Sequence, residues 1–314
     1  MKIVRTISIT LVSVLLLSLA GALGYFAGQY KCALSVTGEK KGLLARRKTE
    51  WQALKRSLGE EIGSFNGECG VVVRDLYKGW ELSHNSDAPF PSASMVKIPI
   101  MASCLVAAAQ GKIKLDAAVK LNKKDKFGGS GLLKKMAPGS EFTLDELMGR
   151  MIYDSDNTAT NMITTALGQG YINDSFKALG LPNTNFSRRV ADYAMRDKGV
   201  ENYTTAADIA GILEKMYRRE LVNAKVSDKG LMIMKLQRVN DRIPKYLPVD
   251  ISVAHKTGLE KGVCHDAGII FTEKGDLLVS VLTKHPDPNA SQAKEFIAKI
   301  ALAAYRYIEN LPGS

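Results

Sequence analysis

Three short runs supply, in chain order, the groups that a serine acyl transfer needs: Ser94-Met95-Val96-Lys97, Ser155-Asp156-Asn157 and Lys256-Thr257-Gly258. In the first, a hydroxyl stands three residues before a lysine, and helical positions i and i+3 share a face. A serine hydroxyl is a weak nucleophile at neutral pH and needs a base within hydrogen-bond reach. Lys97 is such a base when neutral, a state that desolvation and a cationic neighbour, Lys256, favour. Ser155 offers a second hydroxyl to carry a proton to the leaving nitrogen, and the Asn157 amide suits a substrate amide. Lys256 and Thr257 combine a cation with a hydroxyl, which binds a carboxylate, and Gly258 lets a ligand come close to the backbone. Asp156 reads as a brace of its own turn. Taken singly, each residue has an ordinary reading, Ser94 as a helix cap and Lys97 as a surface lysine. S-x-x-K also occurs at Ser291-Gln292-Ala293-Lys294 without companions. It is the ordered set of three that points to acyl transfer.

The set resembles that of the class A β-lactamases and penicillin-binding proteins. Ser94 and Ser155 stand 61 residues apart, and Ser155 and Lys256 stand 101 apart, both similar to the class A arrangement. The flanks agree: Phe90-Pro91 precedes the first motif, Thr158-Ala159-Thr160-Asn161 follows the second, and His265-Asp266-Ala267-Gly268 follows the third. The resemblance runs from about Trp51 to Tyr307. It implies acylation of Ser94 by a β-lactam, with the amide of Leu259 as the second oxyanion donor beside that of Ser94. Two rival activities use the same parts: a D-Ala-D-Ala peptidase acting on the peptidoglycan stem peptide, and a non-hydrolytic penicillin-binding sensor.

One departure from the family bears on turnover. Class A enzymes carry an E-x-x-L-N motif whose glutamate activates the deacylating water. The corresponding stretch here, Arg188 to Thr205, has no such motif. Asp192 is the candidate water-facing carboxylate, one methylene shorter; the alternative is an ion pair with Arg188 or Arg189. Glu201, near the end of the stretch, reads as a loop brace. Acylation is expected to be intact and deacylation slow.

The elements that must position these groups follow from periodicity and caps. Trp51, Leu54, Leu58 and Ile62 mark one face of a helix beginning near Lys48. Gly70 to Val73 and Glu81 to Ser83 read as a hairpin around Lys78-Gly79. Ser94 opens a helix reaching about Ala109, with Pro99 in its first turns, where a missing amide is tolerated. Thr143-Leu144-Asp145-Glu146 is a capping box for a helix that delivers Ser155 at its C-terminal end. Thr205 caps a helix over Ala206 to Arg219, and Ser227 caps another toward Leu236. Strands follow at Ile251 to Lys256, Ala267 to Thr272 and Leu277 to Thr283, then a helix from about Ala290 to Ile308. Strands at both ends with helices between predict an α/β fold. Its sheet is mainly antiparallel, flanked by helices, with an inserted all-helical subdomain over about 115–236 and the site between the two.

Composition bounds the rest. The 314 residues are 46% hydrophobic, ordinary for one large globular domain with an appendage. Net charge is +11. No nucleic-acid motif or aromatic-basic interleaving accompanies it, so nucleic acid is not an expected partner. An anionic cell envelope and a merely solvated basic surface both account for the charge. Thr6 to Tyr30 contains no charged residue and follows Lys2 and Arg5, the pattern of a signal peptide or uncleaved signal anchor long enough to span a bilayer. Residues 31–47 read as a basic linker and 48–314 as the catalytic domain. The expected location is therefore the cell envelope, outside the cytoplasm, with the membrane contacted through the N-terminal helix. Four cysteines, Cys32, Cys69, Cys104 and Cys264, allow three full pairings. No metal-ligand spacing and no cofactor motif is present, so no cofactor is expected.

Overall fold

The computed structural model describes Tyr25, Gln29 and residues 42–312. Apart from those two residues, the leader expected over 1–30 lies outside the described residues, as does the linker up to 41. The chain divides into two units, Met1–Ala53 with Leu311–Gly313 and Leu54–Asn310 with Ser314. The second carries the fold below except for residues 42–53 of its first helix. Among the described residues no helix is long and apolar enough to cross a membrane.

Helix α1 covers the described residues 42–64, so helical structure begins before Lys48 and takes in the end of the expected linker. Strands β1 (Glu68–Asp75) and β2 (Trp80–His84) form the expected hairpin. After β3 (Phe90–Pro91), a 3₁₀ turn at Ala93–Val96 runs into α2 (Lys97–Ala109). A ribbon of β4 (Ala118–Lys120) and β5 (Glu141–Thr143) leads to the helices α3 (Leu144–Tyr153), α4 (Asn157–Leu167), α5 (Gln169–Ala178) and α6 (Tyr193–Asp197). Strand β6 (Tyr203–Thr204) pairs with β3 and precedes α7 (Ala206–Tyr217) and α8 (Ala224–Met234). The chain returns through β7 (Val253–Glu260), β8 (Val263–Ile270) and β9 (Leu277–Lys284) and closes on α9 (Ser291–Glu309).

The five long strands form one antiparallel sheet in the order β2-β1-β9-β8-β7, so strands from the two ends of the sequence meet at β1 and β9. Strand β8 is buried along its whole length. Both α9 and α7 pack on β8 and β9, which covers the sheet with helices. This is the expected α/β architecture: an antiparallel sheet flanked by helices, with a helical subdomain between β2 and β7.

Local differences have local causes. Helix α8 is capped by Asn223, whose side chain accepts from the Val226 amide at 3.0 Å. Ser227, the expected cap, lies one turn inside the helix and folds back on Leu221. Strand β7 runs four residues past Lys256 and turns at Lys261-Gly262, where Gly262 takes φ +78°. Pairing of Lys256 with Ala267 and Thr257 with Asp266 sets this register. Thr257, Gly258 and Glu260 hid that extension from a reading based on alternating hydrophobicity, and His265 and Asp266 likewise hid the start of β8 at Val263. Cys69, Cys104 and Cys264 are buried free thiols.

Candidate active site

Strand β7 is an edge strand, and the 3₁₀ turn carrying Ser94 packs directly against it. Gly258 makes this possible: a Cβ there would meet Met95 Cγ at 3.2 Å and His265 Cδ2 at 3.2 Å. The glycine thus has a packing role between strand and turn, beyond the close ligand approach expected of it. His265 is wholly buried; its Nε2 lies 2.8 Å from the Pro91 carbonyl, and its Nδ1 accepts from the Thr283 amide at 3.0 Å. That pattern fixes a neutral ring with the proton on Nε2. Burial pushes its pKa down to about 4.

Helices α3 and α4 meet at the second motif. The Thr143 capping box starts α3 as expected, with the Glu146 amide donating to Thr143 Oγ1 at 3.1 Å. Asp156 caps α4 by accepting from the Ala159 amide at 2.9 Å. Its other oxygen accepts from the amides of Leu132 and Leu133 at 2.8 and 2.9 Å, tying a separate loop to the same turn. Gly131, at φ +96°, has no space for a Cβ because the Asp156 carboxylate fills it. Ser155 and Ala93 both hold left-handed backbones, with φ of 52° and 44°, rare for residues with a Cβ. Such strain clusters at functional sites, and here it sits at Ser155 and immediately before Ser94.

The side chains converge on one hydroxyl. Ser155 Oγ donates to Ser94 Oγ at 2.9 Å and accepts from Lys97 Nζ at 3.1 Å and Lys256 Nζ at 3.0 Å. Lys97 Nζ also donates to the Ser155 carbonyl at 2.6 Å and to Asn157 Oδ1 at 2.8 Å. Lys256 Nζ donates to the Thr257 carbonyl at 2.7 Å. The link from Ser94 to Lys97 thus passes through Ser155 rather than directly along one helix face. Asn157 Nδ2 donates to the Gly128 carbonyl at 2.9 Å, so part of its amide serves structure.

Burial governs the charges. Both lysines are wholly buried. Desolvation brings Lys97 down to about 7, against the opposing pull of Asp156 and Glu260. Lys256 is pushed well below the usual lysine range by desolvation and then by the charge of Lys97. Arg242, not singled out in the sequence, adds a third buried cation that bears on Lys256; its Nε donates to Cys264 Sγ at 3.1 Å. Arg242, which stays charged, and Lys256, whose protonated form an anion would stabilise, favour an anionic ligand group at this edge strand. Thr257 is buried beside them, while the Leu259 side chain is about half exposed.

Asp192 makes neither expected ion pair. Its side chain caps α6 by accepting from the Met195 amide at 3.2 Å. Arg188 instead pairs with Glu201 at 2.7 Å and Glu260 at 3.4 Å, and Arg189 pairs with Asp125 at 3.1 Å. Asp192 opens the short α6, and the arginines reach Glu201 at the end of the same stretch, Glu260 on β7 and Asp125. Glu201 is the loop brace expected of it.

Residues 52–308 match a family model described as the β-lactamase enzyme family. The β-lactamase CARB-3 of Pseudomonas aeruginosa is 26% identical over 247 residues, which are 76% of this chain and 84% of that protein. The crystal structure of a β-lactamase from Sphaerobacter thermophilus superposes with a TM-score of 0.75 at 29% identity, covering 83% of this chain and 99% of the other. An acyl-enzyme complex of a PBP-A variant with penicillin G superposes with a TM-score of 0.77 at 28% identity, covering 83% and 97%.

Proposed function

The chain belongs to the β-lactamase enzyme family and is a class A β-lactamase-like serine hydrolase, and from that premise we propose that β-lactams acylate Ser94 and leave it slowly. The observation that carries the reading is the hydrogen-bond cluster centred on Ser155, which joins Ser94 to two buried, pKa-depressed lysines. In the first step both hydroxyls rotate, so that Ser94 donates to Ser155 Oγ and Ser155 to neutral Lys97. Ser94 then gives its proton to Ser155 while Ser155 passes its own to Lys97, because a hydroxyl donates and accepts at once. The Ser94 oxygen bonds to the lactam carbonyl carbon. The resulting oxyanion is held by the amides of Ser94 and Leu259, and a group of this kind is worth about 10² to 10³ in rate. Collapse breaks the carbon–nitrogen bond, and the leaving nitrogen takes a proton through Ser155. Lys256, Thr257 and Gly258 hold the ligand carboxylate, and Asn157 holds its amide.

Slow deacylation follows from where the carboxylates of the Arg188–Thr205 stretch are used. Glu201 is engaged by Arg188, and Asp192 caps α6, with one oxygen left to orient a water. Loss of a general base costs typically about 10²- to 10⁴-fold. The penicillin acyl-enzyme of the PBP-A variant supports a β-lactam ligand. The uncharged leader supports export, to the periplasm or the outer face of the cytoplasmic membrane; protease treatment of spheroplasts would test it, protection of the domain there contradicting export. The activity is tested by mixing excess chromogenic cephalosporin with the enzyme. A burst of one equivalent followed by slow turnover is expected. Steady turnover without a burst contradicts slow deacylation. No burst with penicillins, but acylation by a D-Ala-D-Ala peptide, would favour the peptidase.

A further inference from the structure

Strand alternation sends His255 to the face of β7 opposite that of Lys256, and there it lines a cavity of about 440 Å³ bounded by the end of α8 and the 237–253 segment. His255 is almost wholly buried, and its Nδ1 lies 3.0 and 3.1 Å from the two carboxylate oxygens of Asp266. Asp266 also accepts from the Ile243 amide at 3.1 Å, which fixes the carboxylate and hence the ring. His255 Nε2 lies 3.3 Å from Asn240 Oδ1, so both ring nitrogens are engaged and the Asn240 Nδ2 amide is the donor that this polar floor offers.

The walls are cationic, and no carboxylate is among the residues that line them. Lys235 lies over the Phe271 ring at 3.9 Å, and Lys245 gives a 2.7 Å bond to Glu295, which does not line the cavity. An ammonium has three donors, so each lysine keeps donors to spare. Among the lining residues Val249 is fully exposed and Leu247 is partly exposed. Exposed apolar groups around a polar floor are the pattern of a site for an amphipathic small molecule. None of these residues belongs to the Ser94 cluster.

We propose that this cavity binds a small organic anion, a carboxylate carrying an apolar tail. The carboxylate meets the Asn240 amide between Lys235 and Lys245, and the tail lies on Leu247 and Val249. The site does not depend on acyl transfer at Ser94, so it stands or falls separately from the activity proposed above. The test uses the full chain and 4-phenylbutyrate as probe, with calorimetry for affinity and NMR of the histidine rings for location. One saturable site is expected, shifting the His255 signals. Lys235→Glu and Val249→Asp, both at the wall or mouth, should each weaken it by at least about tenfold, while penicillin labelling of Ser94 stays unchanged. Absence of saturable binding, binding indifferent to both variants, or binding abolished by prior penicillin acylation would each overturn the site. Inorganic phosphate binding as tightly as the probe would overturn the assignment of an apolar tail.

Discussion

If neutral Lys97 receives the proton of Ser94, acylation must follow the titration of a lysine held near pH 7. Complete burial lowers its pKa from 10.5 to about 7, in spite of the carboxylates of Asp156 and Glu260, which pull it upward. A lysine at about 7 is roughly one-tenth neutral at pH 6, half at pH 7 and nine-tenths at pH 8. The rate of acylation should therefore rise about fivefold from pH 6 to 7, by less than about twofold from 7 to 8, and then level off. A lysine with an ordinary pKa would instead give a rate still climbing about tenfold per pH unit across that range. Single-turnover stopped-flow measurements with a fluorescent penicillin between pH 5.5 and 9 read this directly. Lys97→Arg keeps the charge but cannot lose its proton, and it should slow acylation by about 10²- to 10⁴-fold. A rate rising tenfold per unit up to pH 9, or a Lys97→Arg enzyme acylated at the wild-type rate, would refute the base assignment.

Other consequences are as specific. Ser155→Ala removes the hydroxyl that links Ser94 to both lysines; it should cut the acylation rate by about 10²-fold or more with little change in folding stability, as kinetics and thermal melting would read. Asp192→Asn keeps a cap acceptor for the Met195 amide but removes the charge. A longer-lived adduct formed at an unchanged rate would assign it to deacylation, and an unchanged lifetime would leave it as a cap. His265 has a folded-state pKa near 4 against an ordinary 6.5, so the unfolded chain takes up its proton first as pH falls. Its share of stability is present above about pH 6.5 and is lost toward pH 4, on the order of 3 kcal/mol; denaturant melts of His265→Gln should show a flatter acid limb than wild type.

How much of this was legible in the sequence depends on whether the determinant was local. Helix starts with a side-chain signal, such as Thr143 with Glu146 and Thr205 before α7, stand where their caps predict. Ser227 misled because a residue four positions earlier, Asn223, competes for the same role. The three motifs were readable as chemistry, and the fold brings Ser94, Lys97, Ser155, Asn157 and Lys256 into one bonded cluster. Its connectivity was not readable. Ser155, the hub, holds a left-handed backbone that a serine at that position does not announce. Arg242, Gly131 and His265 act through contacts far along the chain, with Cys264, Asp156 and Pro91 respectively; the first two carried no motif, and His265 stood only in the flank of the third. The position of Asp192 likewise turned on which carboxylates Arg188 and Arg189 reach, and of these Glu260 and Asp125 lie on other elements.

The central claim is that Ser94 is the nucleophile, and intact-mass spectrometry of the purified protein with penicillin G tests it most directly. One covalent equivalent of penicillin is expected within the acylation time, located on the peptide containing Ser94 and persisting long after excess drug is removed. Ser94→Ala should show no adduct while melting as wild type does. An unmodified wild-type mass, or an adduct of equal extent on Ser94→Ala, would contradict the assignment.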